Sequence, residues 1–176
     1  MIEIQLKRTS RRYMAQLASE KNKKRTISAL IDTGARSTVL TERDMRVLLV
    51  DDIRKYEEVK STAKRYIINT YNGGVIETIP IVIRGCILNN VSIQNLYCFV
   101  CDDKKAALSV IGMDFITACS ISISKDSNLK ILTIDPDMYK ESFTNDCKGH
   151  IVNEVNLLSS GSSINDLLKS AEGNRY

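Results

Sequence analysis

The apolar residues of this chain come in short runs rich in Ile, Val and Leu, each bounded by turn-forming residues, and this confines it to a mostly-β fold. Ile2–Leu6 alternates apolar and polar side chains, as a half-buried strand does. Tyr13–Ala18 and Thr26–Ile31 are expected to pair as a hairpin around the polar turn Ser19–Arg25. Ile67–Asn69 and Val75–Ile83 flank Asn72-Gly73-Gly74, and Asn-Gly is a strong hairpin signal because both positions tolerate positive φ. Gly85 and Asn89-Asn90 mark further turns, with Val91–Cys101 running from there to the polar Asp102-Asp103-Lys104-Lys105. Ile121–Ser124 and Leu129–Ile134 make a last hairpin around Lys125–Asn128.

Two segments read as helical. Thr41 is a cap for a helix starting at Glu42, whose Met45, Leu48, Leu49 and Ile53 form one apolar stripe. Met113–Cys119 is a second, short helix directly after Gly112. Beyond Asp135-Pro136 the pattern loosens. Ser159-Ser160-Gly161-Ser162-Ser163 is a flexible composition, and Ile164–Ala171 suits one marginal helix. The expected organisation is one domain over residues 1–135 and a partly flexible C-terminal appendage over 136–176.

Composition excludes several classes. With 176 residues, 43 % hydrophobic and 26 % charged, the chain is long and apolar enough for one folded domain. The net charge of +4 comes mostly from Lys7, Arg8, Arg11, Arg12, Lys21, Lys23, Lys24 and Arg25. No aromatic residues interleave that cluster to stack on bases, so it reads as a solvated terminus and turn; no nucleic-acid partner is expected. If nucleic acid were the partner, binding would be salt-dependent and lost on neutralising Lys21–Arg25.

Five cysteines (Cys86, Cys98, Cys101, Cys119 and Cys147) in loose spacing suit reduced thiols. Cys98 and Cys101 point to opposite faces of a strand, and no second pair or His cluster completes a zinc site, so no metal or cofactor is expected. Met1–Leu6 lacks the apolar core of a signal peptide and no apolar run could cross a bilayer, so a cytoplasmic protein without membrane contact is expected.

The chemistry-bearing segment is Ala29-Leu30-Ile31-Asp32-Thr33-Gly34-Ala35. An apolar strand ends abruptly in an acid, a small hydroxyl residue and a glycine. The strand would deliver the Asp32 carboxylate at a fixed place. Thr33 has a hydroxyl for neighbouring backbone. Gly34 lets the chain turn sharply and brings backbone N–H groups toward the carboxylate. Ala35 leaves room for another backbone.

This segment resembles the active-site loop of the retropepsin-like (retroviral-type) aspartic proteases, an apolar strand followed by Asp-Thr-Gly-Ala. Ser109-Val110-Ile111-Gly112-Met113-Asp114-Phe115-Ile116 resembles that family's late signature of two apolar residues, a glycine and a short helix. Thr70-Tyr71-Asn72-Gly73-Gly74 stands where the family has its flap, and Ile121–Ile134 where it has its closing hairpin. The resemblance spans roughly residues 10–135 and implies a closed β-barrel of acid-protease type with one or two short helices, working as a homodimer.

The resemblance further assigns catalysis to Asp32, Thr33 and Gly34, and substrate contact to Ala35, Arg36, Tyr71, Asn72, Gly73, Gly74, Ile111 and Gly112. Two departures stand out: Arg36 follows Asp-Thr-Gly-Ala, and Met113 follows Gly112. An Arg36–Asp114 ion pair is expected to replace the family's usual bracing.

Enzymes of the acid-protease type that it resembles need two such loops and the chain has a single Asp-Thr-Gly, so the resemblance implies that a second copy supplies the second carboxylate. Two carboxylates about 3 Å apart share one proton. On that expectation the ionised one activates a water and the protonated one polarises the scissile carbonyl of an extended peptide or protein substrate, with the chain's own C-terminal segment as one candidate. The alternative is a non-catalytic dimeric peptide-binding module, favoured if Arg36 keeps both carboxylates ionised. Serine, cysteine and zinc hydrolysis fare poorly, because the only histidine, His150, lies in the polar C-terminal segment and no metal-binding motif is present.

Overall fold

A computed structural model describes residues 3–6, 8–9, 11–70, 73–101, 108–147 and 153–157. Strands β1 (Ile4–Leu6) and β2 (Arg8–Thr9) lead into β3 (Arg12–Ser19), which pairs antiparallel with β4 (Thr26–Ile31) from Tyr13↔Ile31 to Ala18↔Thr26. Their inward positions Ala15, Leu17, Ile27 and Ala29 are buried, as alternation requires. The expected hairpin around Ser19–Arg25 is therefore present.

After β4 the chain crosses to β5 (Val39–Thr41) and enters α1 (Glu42–Leu48), where the Thr41 side chain accepts a hydrogen bond from Asp44 N at 3.2 Å. The expected single stripe from Met45 to Ile53 is divided between two helices. Helix α1 stops at Leu48 and α2 (Ile53–Thr62) begins after the turn Leu49–Asp52. Asp52 turns its carboxylate to Lys21 Nζ at 2.9 Å, and aspartate favours such helix boundaries over helix interiors.

Strand β6 (Tyr66–Asn69) and the long β7 (Val75–Leu88) form the expected hairpin, in register from Tyr66↔Thr78 to Asn69↔Val75. Tyr71 and Asn72 lie outside the described residues, as do Asp102–Lys105, Ser159–Ser163 and Ile164–Ala171. Gly85 is not a turn. It takes φ +81° within β7, where the pairing to β8 (Val91–Cys101) shifts register between Arg84 and Cys86, so the glycine serves a bulge in a continuous strand.

Strand β9 (Ser109–Ile111) precedes the short helix α3 (Met113–Ile116). That helix ends three residues earlier than expected, because Cys119 already belongs to β10 (Cys119–Ile123), which pairs with β11 (Leu129–Ile134).

The order β7-β8-β5-β9-β4-β3 closes on itself, since β3 also pairs with β7 at Leu17↔Leu88 through Ser19↔Cys86. The result is a closed six-stranded barrel with few short helices, the mostly-β architecture that the resemblance implies. A separate three-stranded sheet runs β1-β11-β10.

Residues beyond 135 are not a mere appendage. Helix α4 (Pro136–Asp146) starts with Asp135 accepting from the Asp137 and Met138 amides, and Pro136 occupies the first turn, where its missing N–H costs nothing. Its Tyr139 and Phe143, four residues apart, are buried in an aromatic cluster with Tyr97, Phe99 and Phe115, at centroid distances from 4.8 to 5.3 Å. The Tyr139 hydroxyl accepts from Tyr97 N and donates to Tyr97 O. Strand β12 (Asn153–Asn156) then lies parallel to Ile81–Arg84 of β7 and buries Val155, with Leu157 buried just after it. The core thus extends to Leu157.

Candidate active site

The parallel ladder between β4 and β9, Ala29↔Ser109 to Ile31↔Ile111, runs one step past the end of β4, because Asp32 N donates to Ile111 O at 3.0 Å. The chain then turns, with Ala35 N donating to Asp32 O at 3.2 Å. Gly34 N donates to Asp32 Oδ1 at 2.8 Å, an Asx-type turn that fixes the carboxylate on its own loop. A Cβ at Gly34 would sit 3.1 Å from that same oxygen, which is why the position suits glycine. Asp32 and Ala35 are half-buried, whereas Thr33 and Gly34 are exposed. No hydrogen-bond partner for the Thr33 hydroxyl is found among the described residues.

The loop docks onto the start of α3. Met113 N donates to Ala35 O at 2.8 Å and Asp114 N to Arg36 O at 3.0 Å. Gly112 makes this crossing possible: a Cβ there would stand 2.6 Å from the Ser37 carbonyl carbon and oxygen and 2.8 Å from Ala35 O.

Beneath the crossing, Thr38 and Asp114 form a buried pair. Asp114 Oδ2 accepts from Thr38 N at 2.9 Å, and Oδ1 accepts from Thr38 Oγ1 at 2.7 Å and from Phe115 N at 2.8 Å. The same hydroxyl accepts from Gly112 N at 3.2 Å. Burial pushes the Asp114 carboxyl up to about 6, against these hydrogen bonds, which favour its ionised form.

The expected Arg36–Asp114 ion pair is not formed. Asp114 is enclosed by Thr38 and Phe115, and Arg36 instead reaches Asp146 at the end of α4, Nε to Oδ1 at 3.2 Å. Ser37 Oγ donates to the other oxygen of Asp146 at 3.1 Å. Sequence reasoning did not single out Thr38 or Asp146. The hydroxyl run Ser37-Thr38 just after the Asp-Thr-Gly loop was the available signal for the first; nothing local marked the second.

Of the residues singled out from sequence, the structure brings Asp32, Thr33, Gly34, Ala35, Arg36, Ile111 and Gly112 into one loop-and-crossing assembly. Gly73 and Gly74 lie in the β6–β7 turn. There Gly73 takes φ +76° and donates its N–H to Thr70 O at 3.1 Å, and Gly74 O accepts from Thr70 N at 2.8 Å. On one face of this hairpin Ile67 and Val75 are each 64 % exposed. Burial pushes the Cys98 thiol well above its ordinary value and keeps it protonated. Among the described residues, no group of three or more His, Cys, Asp or Glu side chains is placed to hold a metal ion.

Residues 18–118 match the family model described as "gag-polyprotein putative aspartyl protease", more than half of the chain. No curated protein matches it. Among solved structures, a retropepsin-like aspartic protease from Rickettsia conorii is similar at 19 % identity with a TM-score of 0.48, over 74 % of this chain and 90 % of that one. The retroviral protease-like domain of Ddi1 from Leishmania major is similar at 17 % identity with a TM-score of 0.36, over 70 % of this chain and 95 % of that one.

Proposed function

Since the chain belongs to the gag-polyprotein aspartyl protease family, of retropepsin-like kind, we propose that it is an aspartic endopeptidase whose active site forms between two copies, each giving one Asp32. The observation that carries this reading is the Asp32 loop itself. A half-buried carboxylate ends a barrel strand, is held by the Gly34 amide, and rests on a backbone crossing that tolerates only glycine at 112. Such a placement gives a carboxylate little freedom, as general acid–base work requires.

Two symmetry-related Asp32 carboxylates would share one proton, because both cannot ionise at close range. The ionised member takes a proton from water as that water attacks the scissile carbonyl, and the protonated member donates to the carbonyl oxygen. The newly protonated member then gives its proton to the amide nitrogen while the other takes one back from the gem-diol. The C–N bond breaks, and the amine and the acid leave without any covalent bond to the enzyme. Exposed Thr33, with its hydroxyl unengaged among the described residues, is available to the facing loop.

Strand β10 supports the second copy. It pairs only with β11 among the described residues, leaving a free edge, and it exposes Ile121 by 37 % and Ile123 by 67 %. An uncovered apolar edge strand is a site for strand addition. The aliphatic β6–β7 hairpin favours extended peptides with apolar residues flanking the cut, aligned by strand-like pairing. The Arg36 guanidinium is matched by Asp146, which weakens the case for a non-catalytic module with two ionised carboxylates. The described C-terminal residues through Leu157 are packed into the domain, so they do not offer the extended substrate expected of a self-cleaved tail.

The test is cleavage of a diverse peptide library from about pH 4 to 7, read by mass spectrometry, for wild type and Asp32→Asn. Cuts made only by wild type are expected. Identical cuts by both proteins, or none by a folded dimer, refute the reading.

A further inference from the structure

We propose that Asp146, at the end of α4 and outside the span matched by the family model, is a positioning residue for the Asp32 loop, so that α4 is part of the catalytic unit; this rests on the endopeptidase reading above. Asp146 holds two consecutive loop residues through its two carboxylate oxygens, Arg36 Nε at 3.2 Å and Ser37 Oγ at 3.1 Å. Those residues connect Asp32 to the Gly112 crossing, where the Ser37 carbonyl is the closest neighbour of Gly112.

The two contacts are unequal. The Arg36 side chain is 86 % exposed, and ion pairs of exposed cations contribute little. Ser37 is buried and the Asp146 side chain is only 12 % exposed, so the Ser37 hydroxyl bond to a carboxylate is the stronger tether.

The placement runs against local preference. A carboxylate in the last turn of an eleven-residue helix opposes the helix dipole, and no basic residue stands in that turn to offset it. Sequences break such local rules where a specific contact demands it. Helix α4 is itself fixed, because Tyr139 and Phe143 bury it in the aromatic cluster and Asp135 N donates to Ala118 O just after α3. Asp146 is thus delivered from a rigid element to a loop whose carboxylate must be held within a fraction of an ångström.

The experiment compares full-length wild type, Asp146→Ala, Asp146→Asn, Ser37→Ala and the Asp146→Ala/Ser37→Ala double variant. It reads peptide cleavage (kcat and KM separately), the urea unfolding midpoint, and amide hydrogen exchange of residues 32–38. For Asp146→Ala, kcat is expected to fall about tenfold or more with KM within about twofold, while exchange of residues 32–38 quickens. Asp146→Asn keeps an oxygen for the Ser37 hydroxyl and should recover most of both. Ser37→Ala, which removes only a hydroxyl, should reproduce the loss, and the double variant should add little.

Unchanged kcat and unchanged exchange in Asp146→Ala and Ser37→Ala would overturn the proposal. So would losses that track the unfolding midpoint alone. If wild type cleaves nothing, the endopeptidase reading fails, and the exchange data still decide whether Asp146 holds the loop.

Discussion

Gly112 lies against Ser37 so closely that a Cβ on it would stand 2.6 Å from the Ser37 carbonyl carbon and oxygen. The atoms in the way are backbone and cannot swing aside. Gly112→Ala should therefore separate the Asp32 loop from α3 and cost several kcal/mol, on the order of other severe overpacking changes. Gly73→Ala, with nothing within 4 Å and a φ of +76°, carries only the left-handed backbone strain of about 1 kcal/mol. Urea unfolding of the two variants checks the contrast, and equal losses would contradict it.

The Thr38 hydroxyl donates to Asp114 and accepts from Gly112 N. Thr38→Val keeps the shape but leaves a buried carboxylate and a buried amide short of a partner, a loss of about 2–4 kcal/mol. Thr38→Ser keeps the hydroxyl and gives up one methyl, about 1 kcal/mol. Denaturant midpoints of the two variants should differ in that order.

Asp114 links stability to pH. Its carboxyl is raised from an ordinary 3.8 to about 6 by burial, so the folded chain holds the proton more tightly than the unfolded one. The resulting stabilisation is fully present below about 3.8 and is lost as pH rises through about 6. Relative to Asp114→Asn, wild type should gain roughly 2–2.5 kcal/mol on going from pH 7 to pH 4. Taking the difference removes the opposite trend of Glu3 and Glu42, which lysine and arginine partners hold below the ordinary range. A flat difference across that window would contradict the assignment.

The core reaches beyond residue 135, so a chain ending there should not fold stably. Phe143→Ala should cost about 3–5 kcal/mol, because Phe143 is buried between Tyr97 and Phe99. Circular dichroism of the truncated chain and urea unfolding of Phe143→Ala provide the check. A truncated chain as stable as the full one would refute the extended core.

The local chemistry of the site was legible in the sequence because each residue type acts on its nearest neighbours. The Asp32–Gly34 turn, the Thr41 cap and the β3–β4 pair all follow from short-range rules. What remained hidden depends on distant partners. Helix α4 shows only Tyr139 and Phe143 as buried apolar residues in a polar run, and its partners Tyr97, Phe99 and Phe115 lie far back in the chain.

Arg36 was expected to pair with Asp114 because Asp114 stands in the second motif. Thr38 claims that carboxylate first, and the true partner, Asp146, sits 110 residues away from Arg36. At Gly85 the glycine suggests a turn, but continued pairing of β7 with β8 makes its positive φ a bulge within one strand.

If two Asp32 carboxylates from two copies make one active site, mixing intact with disabled subunits must lower activity more than in proportion. Wild type and Asp32→Asn are mixed at constant total concentration, allowed to exchange subunits, and assayed for peptide cleavage. Random pairing at equal amounts should leave about a quarter of the wild-type rate, because only pairs of two intact copies act. A rate of about half, in simple proportion to the wild-type share, would mean that each copy works alone and would contradict the shared dyad.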